Sequence, residues 1–366
     1  KVPHGEWDAM AQLKPALAQA VCLSVNKRPK TIGQIADDVE SHPDYVGDMV
    51  AGLAKLEILT SPRKQQYLLN FIAFDLEDRR RLFSGIRQPG AEIARRLADG
   101  QPALAAAYEQ TPLAKAGWTW EDVAWVVNCL IIAQRRLARA VGYPKVLRPP
   151  TRPGGYPYWL GGLEYRPDSD IQLPDTVGWC GIDRGGWGLG HFGPSMNHKE
   201  HTWVFDPPAD GRSILHSLLD GPLTEDAVLS QLNAEDREKH RSTLAKLVAA
   251  GLVERRNDAT FSLRFPVFSD GDSEILTPVV DQIVKPIVEE VLTPAGDGLD
   301  QLLDEMGYGH RRDQYPVWRD WFSAFIMGEA LRFMIKQGVL PELGENPPAK
   351  WSYAAWKGDV PLFAFA

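Results

Sequence analysis

The stretch from Thr31 to Phe71 constrains the fold most. Thr31-Ile32-Gly33-Gln34-Ile35-Ala36 opens a short helix, and Ser41-His42-Pro43 makes a turn. From Asp44 to Leu56, apolar residues recur at Val46, Met49, Val50, Leu53 and Leu56. That spacing is one face of an amphipathic helix. Glu57 to Thr60, a polar tip at Ser61 to Gln66, and Tyr67 to Phe71 then read as a hairpin. Helix, turn, helix and hairpin together describe a winged helix-turn-helix. A second copy of the plan begins near Ser213. Leu223 to Val228 parallels the first helix, with Thr224 as N-cap. Asp236 to Ala250 parallels the second helix, and Gly251 to Leu263 parallels the wing. The two copies agree in position rather than in residue identity.

The chain has 366 residues, more than one ordinary core accommodates, so several domains are expected. The expected divisions are 1–78, a first winged helix; 79–150, a basic helical segment; 151–211, an aromatic- and Gly-rich small β segment; 212–268, a second winged helix; and 269–366, a C-terminal helical region. The fold class expected is α+β and mostly helical, with two winged units flanking a helical segment and a small antiparallel sheet. Within it, Asp75 to Ala98 reads as a charged helix broken at Gln88-Pro89-Gly90. Trp120 to Val141 reads as a strong helix with a basic end. The tail from Pro341 reads as irregular chain.

Composition excludes several classes. Apolar residues make up 44% and charged residues 24%, as in ordinary globular proteins. No apolar run reaches the roughly 18 residues of a membrane span, and no signal peptide is visible. Three scattered cysteines do not make a disulfide framework and fit a reducing cytoplasm. The net charge of −8 is uneven: residues 79–152 carry an excess of cations and residues 266–366 an excess of carboxylates. The basic segment can meet nucleic acid, or the acidic segment of the same chain.

Catalytic signatures are missing. There is no Gly-x-Ser-x-Gly, no Gly-x-x-x-x-Gly-Lys and no His-Glu-x-x-His. Gly188-x-Gly190-x-x-Gly193 matches the dinucleotide fingerprint in letters only, because Pro194 follows and no βαβ unit surrounds it. Cys180, His191, His198 and His201, with Glu200 nearby, are residue types that bind zinc, but their spacing fits no structural zinc pattern. Neither a metal nor a cofactor is expected. The aromatics of 156–205 must supply a core, and a surplus can line a pocket for a flat or cationic ligand. The pocket candidates are Tyr158, Trp159, Trp179, Trp187 and Trp203.

The run Thr31-Ile32, Ile35-Ala36, Pro43, Tyr45-Val46, Asp48, Leu53, Tyr67 and Asn70-Phe71-Ile72 resembles bacterial winged helix-turn-helix transcription regulators, over about 60 residues. More narrowly, it is similar to a poorly characterised regulator-like group in which such a unit precedes a variable sensor-like region. The resemblance implies DNA binding and possible sensing of a ligand or partner, and it transfers no catalytic residue. The first recognition helix departs from a strong reader, since it carries Asp44 and Asp48 against Lys55 alone. The expected DNA contacts are therefore Arg63 and Lys64 at the first wing tip, Arg237, Lys239, Arg241 and Lys246 on the second recognition helix, and Arg255 and Arg256 on its wing. A cytoplasmic, ligand-responsive homodimer is the expected form. The alternatives are an interaction module whose winged helices bind no DNA, and an enzyme with an unrecognised site.

Overall fold

A computed structural model describes residues 8–129, 149–155, 157–164, 179–183, 187–192, 210–232, 236–342 and 348–357. The class is α+β and mostly helical. The chain divides into two units. The first comprises residues 1–85, 142–173 and 295–322, and the second 86–141, 174–294 and 323–366.

In the first unit, α1 (Ala9–Gln12) and α2 (Ala16–Ser24) lead to α3 (Ile32–Asp38) and α4 (Pro43–Lys55). Thr31 starts α3 through a capping box: its hydroxyl accepts from Gln34 N, and Gln34 Oε1 accepts from Thr31 N at 2.9 Å. Pro43 occupies the first turn of α4, where its missing N–H costs nothing. Strands β1 (Leu59–Arg63) and β2 (Gln66–Leu69) form the antiparallel wing. Val46, Val50, Leu53, Leu56 and Ile58 are buried with Val21, Ile35 and Leu69 in one core. The expected helix face is thus the buried one. A short β3 (Ala73–Phe74) and α5 (Leu76–Ser84) follow.

The chain then enters the second unit through α6 (Arg87–Tyr108), α7 (Pro112–Lys115) and α8 (Trp120–Val127). The expected break at Gln88-Pro89-Gly90 lies instead at Gly85-Ile86, because a proline in the first turn leaves no hydrogen bond unmade. Arg135, Arg136 and Arg139, the basic end read on the following helix, lie outside the described residues. Strand β4 (Gly162–Leu163) returns to the first unit and pairs parallel with β3.

Strands β5 (Trp179–Asp183) and β6 (Trp187–Phe192) belong to the second unit. So does the second winged helix: α9 (Asp210–Ser217), β7 (Leu223–Thr224), α10 (Glu225–Ser230), α11 (Arg237–Ala249), β8 (Val253–Arg255), β9 (Thr260–Leu263) and β10 (Val267–Phe268). Helix α12 (Asp270–Ile287) follows, then a wide π turn, Val288–Leu292, and α13 (Thr293–Glu305). After a tight helical turn, Gly309–Gln314, come α14 (Tyr315–Lys336), α15 (Ala349–Ser352) and β11 (Tyr353–Lys357). Strand β11 is central in a four-stranded sheet ordered β10-β11-β6-β5. The tail read as irregular therefore contains a strand. The segment 151–211 supplies no single sheet, since β4 joins β3 while β5 and β6 join β11.

From α4 onward the two winged helices match residue for residue at one constant offset. Val46, Val50, Leu53 and Ile58 correspond to His240, Leu244, Leu247 and Leu252, all buried. Glu57 and Gly251 both take a left-handed φ, +57° and +72°, and so do Gln65 and Ala259, +60° and +63°. Ile58 N bonds Leu53 O as Leu252 N bonds Leu247 O, each at 3.0 Å. Phe71, Phe74 and Asp78 correspond to Phe265, Phe268 and Asp272, all buried. The shared backbone makes this an internal repeat in geometry, beyond the agreement of element order legible in the sequence.

Each unit also borrows from the other half of the chain. In the first, buried Asp78 accepts from the hydroxyl of Tyr308 at 2.6 Å. In the second, its counterpart Asp272 accepts from Leu113 N at 2.8 Å. The acid in the first turn of the helix after each wing thus accepts a hydrogen bond from a residue of the opposite half.

Candidate nucleic-acid interface and ligand sites

Helix α11 turns His240, Thr243, Leu244 and Leu247 inward, against a core that includes Ile214, Leu218, Val228 and Phe261. Outside that buried face the helix exposes Arg237, Lys239, Arg241 and Lys246. Arg237 and Arg241 have carboxylate partners. Arg237 Nη2 lies 2.7 Å from Asp226 Oδ1, and Arg241 Nε lies 2.6 Å from Glu225 Oε1 while another of its nitrogens meets Glu238. Hydrogen bonding to Glu225, then to Glu238, holds the Arg241 guanidinium above its ordinary pKa. Exposed pairs of this kind are worth about 0–1 kcal/mol. A phosphate oxygen can therefore replace either carboxylate at small cost. The wing of this unit exposes Arg255 and Arg256, and with Glu254, Asn257 and Asp258 they line a shallow polar hollow. Asp258 closes the wing turn by accepting from Thr260 N at 3.1 Å.

The first winged helix presents a different surface. Helix α4 exposes Asp44, Tyr45, Asp48, Ala51, Gly52 and Lys55, with Tyr45 69% exposed. Two carboxylates there oppose a polyanion. Arg63 and Lys64 stand exposed at the wing tip, where Ser61 Oγ donates to Arg63 O at 2.9 Å.

The described ligand-pocket candidates fall in both units. Tyr158 packs on the core of the first winged unit, and Trp187 on that of the second, with its ring centroid 4.4 Å from His216. Trp159 is half-buried in the first unit, and Trp179 lies on β5 in the second. Trp203 lies outside the described residues. The cation expected over Tyr158 is supplied by the protein itself, since the Arg152 guanidinium sits 5.9 Å from its ring centroid.

Cys180 and His191 are direct backbone partners across β5 and β6. His198, Glu200 and His201 lie outside the described residues, and no metal-holding group of three ligands occurs among the described ones. Gly188 has a packing reason for being glycine. A Cβ there would collide with the indole of Trp356, the direct partner of Gly188 on the neighbouring strand β11. Of the basic segment, Arg96 pairs with Glu290 at 2.7 Å, one instance of the chain neutralising itself.

A second polar cluster has no local signature in the sequence. Asn70 Nδ2 donates to Glu57 O at 2.9 Å, and Arg152 Nη1 approaches the same carbonyl at 3.4 Å. Arg311 Nη1 donates to Asn70 Oδ1 at 2.9 Å. Arg152 was legible only as part of a Pro- and Gly-rich breaker. Its partners lie so far away in the sequence that no local spacing connects them.

Compared with known proteins, the chain matches no family model, no curated protein and no solved structure.

Proposed function

We propose that the chain is a DNA-binding transcription regulator that reads the duplex with its second winged helix. One observation carries this: α11 buries Leu244 and Leu247 and exposes four cations, with two more on the wing that follows. A helix bearing Arg and Lys, flanked by a basic hairpin, has the donors that phosphates and base edges accept. The first winged helix contributes Arg63 and Lys64 to the backbone and reads no bases through its acidic α4. Two chains would place two copies of α11 on successive half-sites about 34–36 Å apart. A cytoplasmic setting accords with Cys22 and Cys129 standing as free, buried thiols.

The test is retention on random duplex DNA across a salt series of roughly 50 to 200 mM, in which phosphate contacts lose affinity steeply. Replacing Arg237 and Arg241 together by Ala should flatten the salt slope by about 2, near 1 per side chain. It should also free Glu225 and Asp226 to repel the duplex. No retention of the wild type at low salt would refute the reading. That result would favour a protein partner for α4, whose exposed Tyr45 between Asp44 and Asp48 suits a basic peptide better than DNA.

A further inference from the structure

In the first unit the Arg152 guanidinium is inside and that of Arg311 nearly so; Arg311 Nη2 meets the exposed Asp313 at 2.8 Å, whereas Arg152 holds no carboxylate within hydrogen-bond range among the described residues. The Arg152 side chain is 3% exposed and the Arg311 side chain 17%. Their nearest carboxylates, Glu57 and Asp313, have side chains 52% and 54% exposed. Glu57 Oε2 stands 3.6 Å from Arg152 Nη1, beyond hydrogen-bond range. Arg152 Nε, Arg311 Nε and the Tyr158 hydroxyl are all buried with no hydrogen-bond partner. An unsatisfied buried donor is costly, and more so when charged. Three of them in one cluster mark a place where an acceptor is expected.

The cluster is tied together by geometry. The Glu57 carbonyl and the Asn70 side chain bridge the two arginines, as described above, and the Arg152 guanidinium lies over the Tyr158 ring. Burial above all, and Arg152 after Asp313's opposing pull, lower the Arg311 pKa from its ordinary value. The other carboxylate felt by Tyr158 is Asp8, which is engaged in capping α1. The internal repeat shows that the fold does not require this arrangement. At the positions of Glu57 and Asn70 the second winged helix has Gly251 and Arg264, and it keeps the same left-handed φ and the same backbone bond, Arg264 N to Leu252 O. A glutamate at φ +57° is strained relative to glycine. The first unit retains it where the second does not.

We propose that Arg152, Arg311 and Tyr158 form a binding site for a small oxyanion, a carboxylate or phosphate group, in the first unit. The incoming oxyanion takes the place of the loosely held Glu57 carboxylate, which is free to swing into water. The two guanidiniums supply charge-assisted donors, and the Tyr158 hydroxyl supplies a neutral one. The site stands independently of DNA reading and is tested without DNA.

The experiment is calorimetric titration of the full chain with sodium benzoate and, separately, inorganic phosphate, at fixed ionic strength against chloride. Saturable binding of one probe is expected. Arg152→Lys and Arg311→Lys should each weaken it at least tenfold, because an ammonium cannot reproduce the planar fork. Glu57→Gln should tighten it several-fold by removing the internal competitor. A preference for benzoate assigns an organic carboxylate whose ring meets Tyr158; a preference for phosphate assigns a phosphoryl group. Saturation by neither probe overturns the proposal, as does unaltered affinity in the arginine variants when their circular dichroism is native. Should those variants fail to fold, Glu57→Gln decides: tighter binding supports the site, and unchanged affinity overturns it.

Discussion

Replacing Tyr308 by Phe tests whether the opposite half of the chain secures the first winged unit. Tyr308 is fully buried, and its hydroxyl lies 2.6 Å from both Asp78 Oδ2 and Ala73 O. A hydroxyl carries one proton, so it serves one of these acceptors at a time while accepting from Asn26 Nδ2 at 2.9 Å. Phe keeps the ring, its edge-on contact with Phe74 and the Lys27 ammonium 5.6 Å from its centroid. Only the hydroxyl is lost. Asp78 retains Lys27 Nζ at 2.8 Å, so the carboxylate is not orphaned. The lost bond is one to a charged group, worth about 1.5–3 kcal/mol. Taking about 2 kcal/mol, the melting temperature of a unit this size should fall by about 4–8 °C at pH 7.

The pH dependence sharpens the test. Burial, then hydrogen bonding to Asp78, raises the Tyr308 pKa well above the usual phenol value of 10.0. A raised folded-state pKa stabilises at every pH below the unfolded value, and that stability drains as pH climbs past it. The gap between wild type and Tyr308→Phe should therefore be constant up to about pH 10 and then shrink by about 1.4 kcal/mol per pH unit. Tyr108 and Tyr315 are shifted in the same direction but are common to both proteins, so they cancel. Thermal unfolding followed by circular dichroism at pH 7, 10 and 11 reads the gap. An equal melting temperature at pH 7, or a gap that does not narrow between pH 10 and 11, would refute the reasoning.

Two further outcomes follow from close packing and backbone geometry. Gly188→Ala should destabilise the second unit by about 1–3 kcal/mol through collision with Trp356, and pairing it with Trp356→Leu should recover part of that loss; additive losses in the double mutant would sink this account. Gln65→Gly, at φ +60° on the first wing, should raise stability slightly, by about 0.5–1 kcal/mol, and a loss of that size in urea unfolding would contradict it.

What the sequence reveals here depends on how far apart cooperating residues lie. The α4 face was legible because Val46, Val50 and Leu53 recur within a few turns, and Thr31 because its capping partner is three residues on. The fingerprint at Gly188 fails because Pro194 follows it, yet the reason for the glycine, Trp356, lies in a strand that reads as tail. Strand β11 hid because its hydrogen bonds go to β6 and β10, both distant in sequence. Helices α6 and α12 run through Pro102, Pro278 and Pro286, which local rules take as breaks. Neither the exchange of Tyr308 and Leu113 between halves nor the arginine cluster leaves a local trace. The basic face of α11 was fully legible; its partial neutralisation by α10 was not.

The exchanged segments also set a timetable for synthesis. The first winged core closes on residues made early, but the polar network under it, Asn26, Ala73 O and Asp78, waits for Tyr308. At about 5–20 residues per second on a ribosome, that wait is on the order of 10–50 s. Throughout it a buried-to-be carboxylate has only Lys27 for company. The nascent first half should thus remain protease-sensitive at α5 until nearly the whole chain has emerged, and a clone encoding that half alone should never outgrow this stage.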